Sequence, residues 1–134
     1  MAEREVFFPA GRQDIYEKWG YSAAIRSGEF LFVSGQVGSG EDSAPVGDAE
    51  AQYRKAFSNL KAVLAAAGCT FDDVVDITSF HVDPETHMAT FARAKREAFG
   101  TAPFPTWTAV GVTWLSGFLF EIKVIARIPE GASA

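Results

Sequence analysis

Near the end of the chain apolar residues recur at every second position: Phe118, Phe120, Ile122, Val124, Ala126 and Ile128 share one face of an extended segment. Glu121, Lys123 and Arg127 are among the residues of the other face. The alternation predicts a strand with one side in a core. The charges on its second side suit either a solvent-facing antiparallel strand with no chemistry attached or a carboxylate placed for use in a cleft.

Two shorter apolar runs, Tyr21 to Arg26 and Phe30 to Val33, flank Ser27-Gly28-Glu29 and predict a β-hairpin. In the second run Leu31 and Val33 oppose Phe30 and Phe32, so both faces of that strand carry apolar groups. Gly38 to Pro45 has no apolar period and is rich in chain breakers, the composition of a surface loop. Asp48 is placed to N-cap a helix in which Tyr53, Phe57, Leu60, Leu64 and Ala67 recur at four-and-three spacing, with Gly68 as its stop. Glu50, Arg54, Lys55, Ser58 and Lys61 form the solvated side of that helix. Asp73 to Val82 alternates and is rich in β-branched residues, which predicts a strand. Asp83-Pro84-Glu85 then opens a second helix that runs to about Phe99, with Met88, Phe91, Ala92, Ala98 and Phe99 on its apolar side.

Gly100 to Pro105 breaks that helix, and two final strands follow. The predicted order is β-β-α-β-α-β-β, with a further N-terminal strand around Val6 to Phe8. This is an α+β fold, a mixed sheet of about six strands with two helices on one face. Two helices cover only one face of such a sheet, so its other face needs a different cover.

The 134 residues, 48% of them hydrophobic, form one domain, large enough for a core and small enough for its sheet to need a partner. A net charge of −5 without a long Lys/Arg run argues against nucleic-acid partners. Met1-Ala2-Glu3-Arg4-Glu5 and the few apolar residues before Pro9 contain neither a signal-peptide core nor a membrane span, so a cytoplasmic location and no membrane partner are expected. Cys69 has no disulfide partner and reads as a small buried residue. His81 and His87 lack ligand spacing to each other or to Cys69, so neither a metal site nor a histidine-dependent nucleophile is expected.

Several short segments stand in a telling order. Gly20-Tyr21-Ser22 precedes the hairpin, Phe32-Val33-Ser34-Gly35-Gln36 ends it, Asn59-Leu60 sits inside the first helix, Ala66-Ala67-Gly68 closes it, and Pro105 and Glu121-Ile122 follow. Over nearly the whole chain this order resembles the Rid family, formerly YjgF, of reactive-intermediate (imine and enamine) deaminases. Phe8-Pro9-Ala10-Gly11-Arg12, the stretch Tyr21 to Gly38 and the run Trp107 to Pro129 are similar to its YjgH-like branch. The resemblance implies the chorismate-mutase-like Rid fold and a homotrimer whose uncovered sheet faces form a central barrel, with a small-molecule ligand in the cleft at each subunit interface. It also implies hydrolysis of a reactive imine to a carbonyl compound and ammonia. An imine carbon is already electrophilic, so a site need only hold the substrate, place a water and move protons; no metal or organic cofactor is implied. The ribonuclease and translation-inhibitor labels of some relatives do not suit this chain's charge.

By the same resemblance Glu121 is the catalytic carboxylate that orients water, and Tyr21, Gly35 and Trp107 are substrate-binding positions. The bland readings make Glu121 a salt-bridge partner of Lys123 or Arg127 across the trimer interface, Tyr21 a strand aromatic and Gly35 a turn glycine. Trp107 is the departure: active members of the family carry there an arginine that pairs with the substrate carboxylate. Thr108 and Ala109 follow where Ser and Cys are common, and Ala92 stands where an asparagine often contributes. An indole at position 107 favours an apolar, aromatic or cationic ligand over 2-iminopropanoate, or serves packing alone. Arg12 and Arg26 are the candidates for a substitute cation. Two functions therefore stand: a deaminase with specificity altered by Trp107, and a non-catalytic small-molecule-binding or regulatory trimer.

Overall fold

Strand pairing begins beside the predicted hairpin. The computed structural model describes residues 4–131. Strand β1 (Glu5–Phe7) is followed by a short helix α1 (Gln13–Trp19) and by β2 (Ala24–Ser27). Strand β2 turns at Gly28, whose φ of +61° is a glycine conformation, into β3 (Phe30–Val37). Helix α1 makes three helices where two were predicted. It spans seven residues with none buried, so no apolar period announces it.

Helix α2 (Ala49–Ala66) starts where expected, with the Asp48 carboxylate accepting the Ala51 N–H at 3.0 Å. Tyr53, Phe57, Leu60, Leu64 and Ala67 are all buried, and Gly68 takes a φ of +77° just past the helix end. A single 3-10 turn (Phe71–Asp73) leads into β4 (Val74–Val82), then α3 (Pro84–Phe99), β5 (Thr106–Val112) and β6 (Phe120–Arg127). The strands form one sheet in the order β1-β2-β3-β6-β4-β5. Only β4 and β5 pair in parallel, and α3 supplies the long connection that a parallel pair requires.

Leu31, Val33, Ile77, Ile122, Val124 and Ala126 point to the helix-covered side and are buried. The opposite side keeps Phe32 at 48% and Phe30 and Val110 at 39% exposure, as the two-faced pattern of β3 predicts. On α3, Phe91 and Phe99 are buried as expected, but Met88 is 45% exposed and Ala94 takes a core place instead. Met88 lies on the flank of α3 that carries Ala92 and Lys95 one and two turns on, beside the edge strand β5, where no further strand covers it. Cys69 is buried, and burial pushes its thiol up from the ordinary value. Among the described residues no helix is long and apolar enough to cross a membrane.

Candidate functional site

The site begins with an irregularity in the sheet. Val33 pairs with Val124 and Gln36 with Ile122, three steps along β3 against two along β6, so β3 carries an extra residue at Ser34-Gly35. A Cβ on Gly35 would stand 2.5 Å from Glu121 Oε2 and 2.6 Å from its Cδ. The carboxylate thus occupies the space a side chain at position 35 would fill, so that any larger residue there displaces it.

Tyr21 reaches the same region from α1. Gly20 closes the helix in the left-handed region at φ +80°, and the Tyr21 N–H donates to the Tyr16 carbonyl at 3.2 Å. The two tyrosine rings meet edge-on, with centroids 5.0 Å apart. Buried Gln36 donates through Nε2 to the Tyr16 hydroxyl and to the Ser34 carbonyl, both at 3.2 Å. The Ser34 hydroxyl donates to the Ser22 carbonyl at 2.7 Å, and the Ser34 N–H to the Ala23 carbonyl at 2.9 Å. Asn59 holds the end of β3 by donating to the Val37 carbonyl at 2.8 Å and the Ser39 carbonyl at 3.0 Å. Gln36, Tyr16 and Asn59 hold the backbone around this bulge, contacts that periodicity alone does not reveal, because a polar group in a strand or helix signals nothing until its partner is known.

Burial pushes the Glu121 carboxyl up from its ordinary value, with Lys123 partly opposing. The Tyr21 hydroxyl is also raised, first by burial, then by Tyr16 and Glu121. Among the described residues of the single chain the Glu121 carboxylate forms no ion pair or hydrogen bond, and Arg127 pairs with Glu29 at 3.2 Å. Burial without a partner makes a carboxylate basic, the property wanted in a group that orients and deprotonates water. Gly35→Ala is therefore expected to push the Glu121 side chain aside and to lower any reaction that depends on it by about 100-fold. Circular dichroism and the melting temperature should stay near those of the wild type. A variant with an unchanged rate would show that the position of Glu121 over the bulge does not matter.

Trp107 lies elsewhere. It pairs with Ile77 on the helix-covered face, whereas Glu121 pairs with Phe80 and faces the other way. Its indole N–H donates to Ser79 Oγ at 2.8 Å, and Ser79 Oγ is 2.8 Å from His81 Nε2. His81 is 2% exposed, and burial lowers its basicity. Phe91 and Phe99 meet the indole at 6.0 and 5.6 Å, and Lys95 Nζ stands 4.3 Å from its ring centroid. One chain thus brings Tyr21, Gly35 and Glu121 together and holds Trp107 on the opposite face, in the wall of a separate cleft of about 460 Å³ beside β5. Tyr21, with Ile25, Phe32, Lys123 and Ile125, lines an open hollow of about 610 Å³ on the uncovered face. Arg12 ties down the loop after β3 through the Glu41 carbonyl and Ser43 Oγ, at 3.0 and 3.3 Å, and Arg26 holds the Gly28 carbonyl at 3.0 Å. Neither approaches Trp107; the cation there is Lys95. Among the described residues no cluster of three or more His, Cys, Asp or Glu side chains could hold a metal ion.

Residues 12–128 match the family described as Endoribonuclease L-PSP. The chain is 63% identical over 130 residues to the RutC family protein YjgH of Escherichia coli, covering 97% of this chain and 99% of that one. A solved structure of protein YjgH superposes with a TM-score of 0.90 at 63% identity, over 96% of this chain and 99% of that one. The 2-iminobutanoate/2-iminopropanoate deaminase of Dermatophagoides farinae is 31% identical over 97 residues, 71% of this chain and 74% of that protein.

Proposed function

The chain belongs to the endoribonuclease L-PSP family, which is the Rid (YjgF) group, and from that premise we propose that it hydrolyses a reactive imine or enamine to a carbonyl compound and ammonia. The observation that carries this reading is the half-buried Glu121 carboxylate over the Gly35 bulge, without a partner in the single chain among the described residues and near enough to Tyr21 to help raise its hydroxyl. Glu121 orients the attacking water and takes its proton. Tyr21 supplies a hydroxyl donor, and the bulge keeps the carboxylate in place. None of these steps needs a metal or an organic cofactor. The acidic net charge of −5 favours a small-molecule substrate over a polyanionic RNA.

The same proposal includes a homotrimer. Phe30, Phe32 and Val110 are exposed on the uncovered sheet face, and apolar groups so grouped call for a cover. In the proposed trimer the Glu121 cluster of one subunit meets the β5 edge of the next, where the Trp107 cleft opens, so that two chains supply the site that one chain leaves divided. Sedimentation at several concentrations should give three times the monomer mass. A monomer would remove the composite site.

The test of activity is semicarbazide trapping of imines made in place by an amino-acid oxidase, with acidic, aromatic and aliphatic precursors. Faster imine loss in the presence of the protein is the expected result, with 2-iminopropanoate a poor substrate because Trp107 replaces the usual arginine. No acceleration for any precursor, from a folded trimer, would overturn the deaminase reading in favour of a non-catalytic binding or regulatory role.

A further inference from the structure

The cleft beside β5 has a lining that suits a ligand of definite chemistry. Ala92, Phe104, Pro105 and Trp107 form apolar walls, and Lys95 and Arg96 are its charged residues. Among the described residues no carboxylate lines it, although the chain as a whole carries a net charge of −5. Among the described residues neither Lys95 nor Arg96 makes an ion pair, and Glu97, the nearest acid in sequence, is taken by Arg54 in a two-pronged contact of 2.7 and 2.9 Å. Lys95 is half-buried and stands over the Trp107 ring. The indole cannot swing out to offer a donor of its own, because its N–H is held by Ser79. A cation resting on an aromatic face keeps its remaining N–H donors for a third group.

We propose that this cleft binds a small monocarboxylate with a flat apolar body, its carboxylate held by Lys95 and its body against Trp107, Phe104 and Pro105. This deepens the deaminase reading and rests on it for the substrate class: the carboxylate of an aromatic or bulky imino acid is caught by a cation on α3. The cleft lies at the C-terminal end of α3, next to Gly100, where outward-facing carbonyls oppose any anion and a multiply charged one such as a phosphate most, so the single carboxylate depends on Lys95 and the apolar walls for its hold. A methyl group as small as that of 2-iminopropanoate leaves the aromatic walls unused.

Calorimetric titration with 2-oxo-3-phenylpropanoate, the stable carbonyl product of the matching imine, tests this without any turnover. The wild-type protein should bind the acid about tenfold more tightly than its methyl ester and more tightly than 2-oxopropanoate. Lys95→Met should bind acid and ester alike at the ester's level, Lys95→Arg should keep most of the preference, and Trp107→Phe should weaken both ligands. Lys95→Met with wild-type affinity for the acid, or a wild-type protein that does not bind the acid, would overturn the proposal. Binding through Lys95 by a protein that hydrolyses no imine would uphold the site and remove the deaminase reading alone.

Discussion

Glu121→Gln is expected to lower imine hydrolysis by about 100- to 10,000-fold, the usual worth of a positioned general base, while the fold stays intact. The amide has the shape of the carboxylate, so the Gly35 bulge accommodates it, and the carboxylate makes no hydrogen bond or ion pair among the described residues that the change would break. The sign of the pH dependence follows from burial. The Glu121 carboxyl is raised above its ordinary value of 4.5, so folding disfavours the ionised form relative to the unfolded chain. The stability this group contributes is fully present below 4.5 and is lost as pH rises through the elevated value. Catalysis needs the ionised form and runs the other way: the wild-type rate should climb through an acid limb centred above 4.5. Glu121→Gln should erase that limb and melt at or slightly above the wild-type temperature at neutral pH. A variant that keeps both rate and limb would move the chemistry to another residue.

Most of the scaffold was legible because burial imposes a period on it. The alternation from Phe118 to Ile128 and the four-and-three recurrence from Tyr53 to Ala67 became β6 and α2, with the apolar positions buried from Phe120 onward in the first and throughout in the second. The opposition of Leu31 and Val33 to Phe30 and Phe32 separated the covered from the uncovered sheet face. Helix α1 was not legible, since it buries no residue and owes its place to Tyr16, whose hydroxyl accepts from Gln36 twenty residues on and whose ring meets Phe8 and Tyr21 on either side of the helix.

The site was legible in part. Glu121, Tyr21 and Gly35 lie together, but the face that Trp107 takes depends on register between strands, which one strand's alternation does not specify. Trp107 is paired with Ile77 and Glu121 with Phe80; an odd number of steps along β4 separates those partners, and that parity sends the two side chains to opposite faces. Lys95 was hidden for a related reason. Ala92, Lys95 and Phe99 follow one another on a helix flank, a spacing visible in the sequence, but the flank has meaning only once β5 is known to lie beside it.

Phe91→Ala should be the most damaging single change to stability, at about 3–5 kcal/mol, a large share of the roughly 5–15 kcal/mol that holds a domain folded. The Phe91 ring meets Tyr53 at 5.5 Å, Phe57 at 6.5 Å, His81 at 4.7 Å, Phe120 at 5.3 Å and Trp107 at 6.0 Å, so it joins α2, β4, β6 and β5 through α3. Truncation leaves a void among rings that are themselves held: Trp107 by Ser79, Tyr53 and Phe120 by burial at 1% exposure each. Rings so constrained collapse poorly into a void, which puts the cost at the upper end for its kind. Denaturant titration of Phe91→Ala beside Phe91→Leu separates volume from aromaticity, because leucine restores most of the volume and should recover most of the loss. The same pair bears on the cleft. Phe91 backs the indole on which Lys95 rests, so Phe91→Leu should bind 2-oxo-3-phenylpropanoate less tightly at nearly wild-type stability. A loss under about 1 kcal/mol for Phe91→Ala would mean that the cluster recollapses, and that Ser79 and Phe99 suffice to keep Trp107 in place.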